Sequence, residues 1–144
     1  MDPLKEVLNS LLAETYTLFL MTQNYHWNVK GNNFYELHKL FESHYDEMFK
    51  AIDEIAERIS GLGNVVPGSF KEFIDLSELK IETNLSDSRS MLLKLKEGHE
   101  HIISSLEKGL DIAGEQADED SFDLMVQRLK AHNKMHWMIS KSID

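Results

Sequence analysis

The sequence predicts an all-α protein: a bundle of four long helices with a short extra helix in its longest connection. Three observations carry this. The 144 residues contain two Pro and seven Gly, the residues that interrupt helices most. Apolar residues recur at helical spacing over four long stretches, each bounded by residues that start or stop helices. Between the second and third stretches the pattern lapses over the 24 residues from Leu62 to Leu85, too long for a featureless connection in a compact domain.

The first helix starts at Asp2 and Pro3, a capping side chain followed by the residue whose missing N–H costs nothing at the first helical position. Leu4, Leu8, Leu11, Leu18 and Phe19, with Thr15 and Thr22 interposed, form a stripe that reaches His26 in the last turn before Gly31. Asn33 followed by Glu36 reads as a variant capping box, opening a second helix from about Phe34 to Ser60 that Gly61 and Gly63 close. Its expected buried stripe is Phe34, Leu37, Phe41, Tyr45, Met48, Ile52, Ile55 and Ile59. Ser69 with Glu72 is a further capping box, so a short helix is expected over about Phe70 to Leu76. Ser86 or Asp87 starts the third long helix, carrying Leu92, Leu95, Ile102, Leu106 and Leu110, weakened modestly by Gly98 and Gly109 and ended by Gly114. After the acidic link Glu115 to Asp120 a fourth runs from about Ser121 to Ile143, with Phe122, Met125, Leu129, Trp137 and Ile139 as its apolar set. One long connection between the second and third helices fits a ferritin-type bundle better than a simple up-down-up-down one. No repeat or low-complexity tract divides the chain, so residues 1–144 are read as one domain.

With 25 acidic and 15 basic residues the formal charge is −10, which repels phosphate backbones and attracts cations. The absence of cysteine removes disulfide, zinc-thiolate and iron–sulfur chemistry. No apolar run approaches the length of a membrane span and the N-terminus has no leader pattern, so the expectation is a cytoplasmic protein without membrane contact.

The chemistry is concentrated between Tyr25 and Arg58. His38 with Glu42, and Asp53 with Glu57, are two i,i+4 pairs of metal-type ligands on the second helix, and both pairs are centred on position 47.5. Fifteen residues separate them, roughly 22 Å of helix, so they cannot share a metal within one chain. If two copies pack this helix antiparallel about a two-fold axis near residues 47 and 48, each 38/42 pair meets the 53/57 pair of the mate. His26 then closes each of two equivalent sites. Two imidazoles and three carboxylates suit iron and other first-row divalent ions. The carboxylates stabilise Fe(III) over Fe(II), so a ferroxidase centre is expected, with His26 and His38 from one subunit and Asp53 and Glu57 from its mate. Tyr25 and Trp27, beside His26, are candidate electron donors. Taken alone, either pair reads more simply as a solvated helix face; the shared centre favours the site.

The same residues resemble the Dps family, the miniferritins. HWNVKG at 26 to 31, HxxxE at 38 to 42 and DEIAER at 53 to 58 look like its ferroxidase signature, and the pattern extends to KMHWM at 134 to 138. The resemblance implies a hollow dodecamer with iron-oxidising sites at two-fold interfaces. It implies Fe(II) and hydrogen peroxide as substrates, ferric mineral as product, and suppressed hydroxyl-radical formation. It also implies a three-fold iron-entry pore at the start of the fourth helix, for which Asp118, Asp120 and Asp123 are candidates; the other reading of these acids is complementation of the helix dipole. Glu42 stands where many members have Asp. The Lys-rich extension of DNA-binding members is missing, so DNA binding at neutral pH is not expected. His132 and His136 are read as packing residues, His99 and His101 as facing differently, His44 as lying at the two-fold interface, and the seven Met as gap fillers. An alternative is a structural or nucleoid-compacting helical assembly without significant ferroxidase activity; another is a monomeric four-helix adaptor.

Overall fold

A computed structural model describes residues 2–82, 84–85 and 87–143. Five helices follow in order: α1 Pro3–Asn28, α2 Phe34–Gly61, α3 Phe70–Leu76, α4 Ser88–Glu115 and α5 Glu119–Ser142. Asp2 caps α1 by accepting from the Leu4 amide at 3.1 Å, Ser69 caps α3 by accepting from the Glu72 amide at 3.2 Å, and Asp87 caps α4 by accepting from the Ser90 amide at 2.8 Å. The alternative start at Ser86 lies outside the described residues. The expected capping box at α2 does not form: Asn33 occupies the cap position but makes no side-chain capping bond, and the turn is set by Gly31 at φ +117°, whose carbonyl accepts from the Phe34 amide at 3.1 Å.

The helix ends also differ in one place. Gly63, at φ +86°, terminates α2 as expected, with the Asn64 amide reaching back to the Ile59 carbonyl at 3.3 Å. Gly114, by contrast, lies inside α4. The left-handed residue there is Ala117 at φ +53°, and the Asp118 amide closes the motif on the Ala113 carbonyl at 3.0 Å. A glycine is favoured at such a position, which is why Gly114 attracted the assignment.

Pairwise contacts fix the topology. His26 meets His38 and Phe19 meets Tyr45, so α1 and α2 are antiparallel. Arg58 meets Asp120 while Glu47 meets Arg128, so α2 and α5 are antiparallel. His99 meets His132 and a Cβ on Gly109 would meet Met125, giving α4 and α5 the same relation; Glu14 with His101 and Leu18 with Gly98 give it to α1 and α4. Around the bundle the order is therefore α1, α2, α5, α4. The consecutive long helices α2 and α4 lie diagonally and run parallel, which requires the long crossover, and α3 within that crossover packs on α1. This is a four-helix bundle of ferritin-like type with a short additional helix. Among the described residues no helix is long and apolar enough to cross a membrane.

The core rows correct two expected stripes. On α2 the buried row is Leu37, Phe41, His44, Met48, Ala51, Ile55 and Ile59; Phe34 is exposed and Tyr45 and Ile52 are only partly buried. On α5 it is Ser121, Met125, Arg128, His132, Met135 and Ile139, while Phe122 and Trp137 are exposed. Both rows advance by three- and four-residue steps, as helix packing at a shallow angle demands. They were hidden because polar residues occupy several of their positions. Thr15 and Thr22, in the α1 stripe, are fully buried and donate to the Leu11 and Leu18 carbonyls at 2.6 and 2.7 Å, so their hydroxyls cost the core little.

Candidate metal centre

The last turn of α1 and the first turns of α2 bring His26, His38 and Glu42 together, with one ligand atom of each within 4.8 Å of the others. His26 is buried and the other two are half-buried. The imidazoles stack at 3.7 Å with 13° between planes, and their Nδ1 atoms are used reciprocally. His26 Nδ1 lies 2.7 Å from the His38 carbonyl, and His38 Nδ1 lies 2.7 Å from the His26 carbonyl. A carbonyl oxygen only accepts, so each Nδ1 carries the hydrogen, and the nitrogen open to a metal is Nε2. That is the arrangement by which a second partner orients a metal-binding imidazole. The His26 carbonyl is one of the four that the end of α1 leaves without a helical partner, and the partial negative charge of that helix end favours a cation beside it. Glu42 Oε1 lies 4.0 Å from His26 Nε2. The donor set of two free imidazole nitrogens and a carboxylate fits Fe(II).

Aromatic rings wall this cluster. Phe34 stacks on His38 at 5.0 Å, which explains its place outside the core row, and Tyr45 meets His26 edge-on at 5.2 Å. Tyr45 belonged to the expected apolar stripe, and its place at the site was missed because its spacing also suits the core. Burial raises its phenol, with the charges of Asp46 and Glu42 adding to the effect. Of the two candidate electron donors, Trp27 is 60% exposed. Tyr25 is buried, donates to the Glu82 carbonyl at 3.4 Å, and is pushed up to about 12, chiefly by burial.

Asp53 and Glu57 lie toward the other end of α2, exposed. The neighbouring Asp53 side chain, by hydrogen bonding and by its charge, raises the Glu57 carboxyl. Within one chain they do not join His26, His38 and Glu42, as the helical rise requires.

Beside Glu57, Arg58 fastens α2 to the start of α5. Its Nε donates to Ser121 Oγ at 2.9 Å, Nη1 to Asp120 at 2.9 Å, and Nη2 to both Asp118 oxygens at 3.1 Å. Asp118 also caps α5, accepting from the Ser121 amide at 3.0 Å. Burial raises the Asp118 carboxyl, but the bonds from Ser121 and Arg58 outweigh it and the net shift is downward. Asp120 and Asp123 border an open concavity of about 420 Å³ shared with Glu54 and Glu57. The structure thus gives Asp118 and Asp120 local bonding roles in one chain. The basic partner Arg58 was overlooked because it stands 60 residues away in sequence.

His44 is corrected outright. It is buried in the bundle core, not at an outer face, and neither ring nitrogen has a partner among the described residues; burial lowers it to about 4. Beside it runs a polar chain. Glu47 binds Arg128 through two contacts of 2.6 and 2.9 Å, Arg128 Nη2 donates to His132 Nε2 at 3.1 Å, and His132 Nδ1 faces His99 Nδ1 at 2.9 Å. Arg128 has no acceptor, so His132 must donate from Nδ1 and His99 must accept there. His132 is thus a packing residue, as expected, but a hydrogen-bonded one.

A family model described as a ferritin-like domain matches residues 5–144. A DNA protection during starvation protein of Bacillus anthracis is 34% identical over 134 residues, covering 93% of this chain and 92% of that one. The Dps protein of Vibrio cholerae O1, described as a member of a broad superfamily of ferritin-like diiron-carboxylate proteins, superposes with a TM-score of 0.92 at 34% identity, over 96% of this chain and 87% of that one. The Dps protein of Staphylococcus aureus superposes with a TM-score of 0.96 at 29% identity, over 100% of this chain and 97% of that one.

Proposed function

The chain belongs to the Dps family of ferritin-like proteins, and on that footing we propose that it is a ferroxidase that takes Fe(II) as substrate and stores the ferric product as mineral in a cage of twelve copies. One observation carries the reading: His26, His38 and Glu42 are assembled with each Nδ1 held by backbone, and neither Nε2 makes a hydrogen bond among the described residues. An assembly with a purely structural or DNA-compacting role has no use for that arrangement. A formal charge of −10 also opposes DNA binding at neutral pH.

In this reading Asp53 and Glu57 of a two-fold mate complete each centre. Their i,i+4 spacing on α2, and their distance from His38 along that helix, support it. So do Tyr35 and Phe49, large side chains left exposed on α2, which a second copy would cover. The imidazoles hold and orient Fe(II), and the carboxylates stabilise the added charge of Fe(III). Hydrogen peroxide, as oxidant, accepts two electrons from two Fe(II); hydrolysis of Fe(III) releases protons to water. Tyr25 and Trp27, the sequence neighbours of His26, are rings able to donate an electron to a stray one-electron oxidant. Asp118, Asp120 and Asp123 supply negative charge to an iron-entry pore between copies.

The test is anaerobic Fe(II) titration followed by peroxide on assembled particles of about 200 kDa, twelve times 16.7 kDa. Asp53→Ala and Glu57→Ala are exposed changes that leave the bundle intact, and each slows iron oxidation by at least about tenfold. Unchanged oxidation in particles of full mass overturns the assignment.

A further inference from the structure

A second mixed set of metal-type ligands lies on a different helix pair. Glu14 of α1, His101 of α4 and Glu78 of the α3–α4 connection each bring one ligand atom within 4.8 Å of the others. We propose that these three side chains hold one first-row divalent cation per chain, of the zinc or manganese class, apart from the iron-oxidising centre. The site is about 18 Å along α1 from His26, twelve residues at the helical rise.

Two observations point to a cation rather than to an ion pair. The first is the state of Glu14. Its side chain is 2% exposed, it sits against His101 Nε2, and burial raises its carboxyl against the opposing pull of His101. A buried carboxylate needs full compensation. The second is that the same Nε2 lies 3.8 Å from Glu78, whose charge also acts to raise the Glu14 carboxyl. One imidazole N–H can serve one carboxylate, and one imidazolium charge neutralises one of two. A divalent ion balances both carboxylates and takes the Nε2 lone pair of a neutral ring. One nitrogen and two carboxylates suit first-row ions over magnesium or calcium, and no thiolate is present. The way in is an open concavity of about 470 Å³ bordered by Glu6, Ser10, Ser104 and Ser105. A bound ion would fasten the segment after α3 to α1 and α4.

The inference does not rest on the ferroxidase reading, and the experiment keeps the two apart. Equilibrium dialysis of the assembled protein against zinc alone compares wild type, Glu14→Gln and Glu78→Ala. The Glu78 side chain is 81% exposed, so its removal leaves folding untouched. Wild type binds one more zinc per chain than Glu14→Gln, and Glu78→Ala weakens that class of site at least tenfold. Fe(II) oxidation rates are the same in all three, and anomalous diffraction from zinc-grown crystals shows an ion between the three side chains. Equal zinc stoichiometry and affinity in wild type and Glu78→Ala overturns the proposal and leaves a buried Glu14–His101 ion pair.

Discussion

At the scale of single residues, the histidines divide by what holds their Nδ1. In His26 and His38 it is backbone, so in the proposed centre each ring serves both as a metal ligand and as a fastening between α1 and α2. Substituting either damages chemistry and turn together, whereas Asp53 and Glu57, exposed on one helix, report on chemistry alone. In the core, burial first, then the neighbouring charges of His99, Arg128 and His44, lower His132 well below its ordinary value. His132 is therefore neutral in the folded state, while an unfolded chain protonates it below about pH 6.5. Its contribution to stability is full above that pH and is lost as pH falls toward the depressed value, at about 1.4 kcal/mol per pH unit. Urea midpoints measured from pH 7 to pH 4.5 fall accordingly. Gln at position 132 can accept from Arg128 and donate to His99 without titrating, so His132→Gln makes the profile shallower and leaves the part that His44 and His99 contribute. The candidate ligands stood out in the sequence because metal chemistry restricts residue type and helical spacing at once. The role of His132 was not, since only the fold brings Arg128 and His99 to its two nitrogens.

At the scale of elements, the sequence located all five helices because caps and periodicity act locally. What it missed is set between helices. Gly98 and Gly109 read as weak points of α4, yet a Cβ at Gly109 would lie 2.6 Å from Met125 Sδ and 2.8 Å from Val7 Cγ1. Position 109 thus faces α1 and α5 at once, and Val7 is β-branched and stiff. Overpacking there exceeds the helix propensity gained, and Gly109→Ala destabilises by about 1–2 kcal/mol, read as a lower thermal midpoint. The opposite holds at the end of α4. Ala117 carries a left-handed conformation on an exposed turn, so Ala117→Gly relieves strain and raises stability by about 1 kcal/mol net of the unfolded-state entropy. Composition ranks both changes the wrong way round. The buried rows of α2 and α5 were misjudged for a related reason: Arg128 and His132 are admitted to the core by Glu47 and His99, partners on other helices.

At the scale of the whole molecule, the topology follows from one requirement. Parallel, diagonal α2 and α4 need a crossover the length of a helix, and the same crossover carries α3 and Glu78 to the α1 face. The long gap in periodicity was therefore as informative as the helices around it. The remaining consequence lies in α2, whose ligand pairs stand at opposite ends. If each centre is shared across a two-fold as proposed, a chain lacking His38 and a chain lacking Glu57 are each inactive alone, because every two-fold pair of either kind has two broken centres. Mixed and reassembled, they complement one another: a hybrid pair gathers both lesions into one centre and leaves the other whole. With random pairing about a quarter of the centres are restored, and the oxidation rate rises to match. No recovery would mean that each chain carries its centre alone.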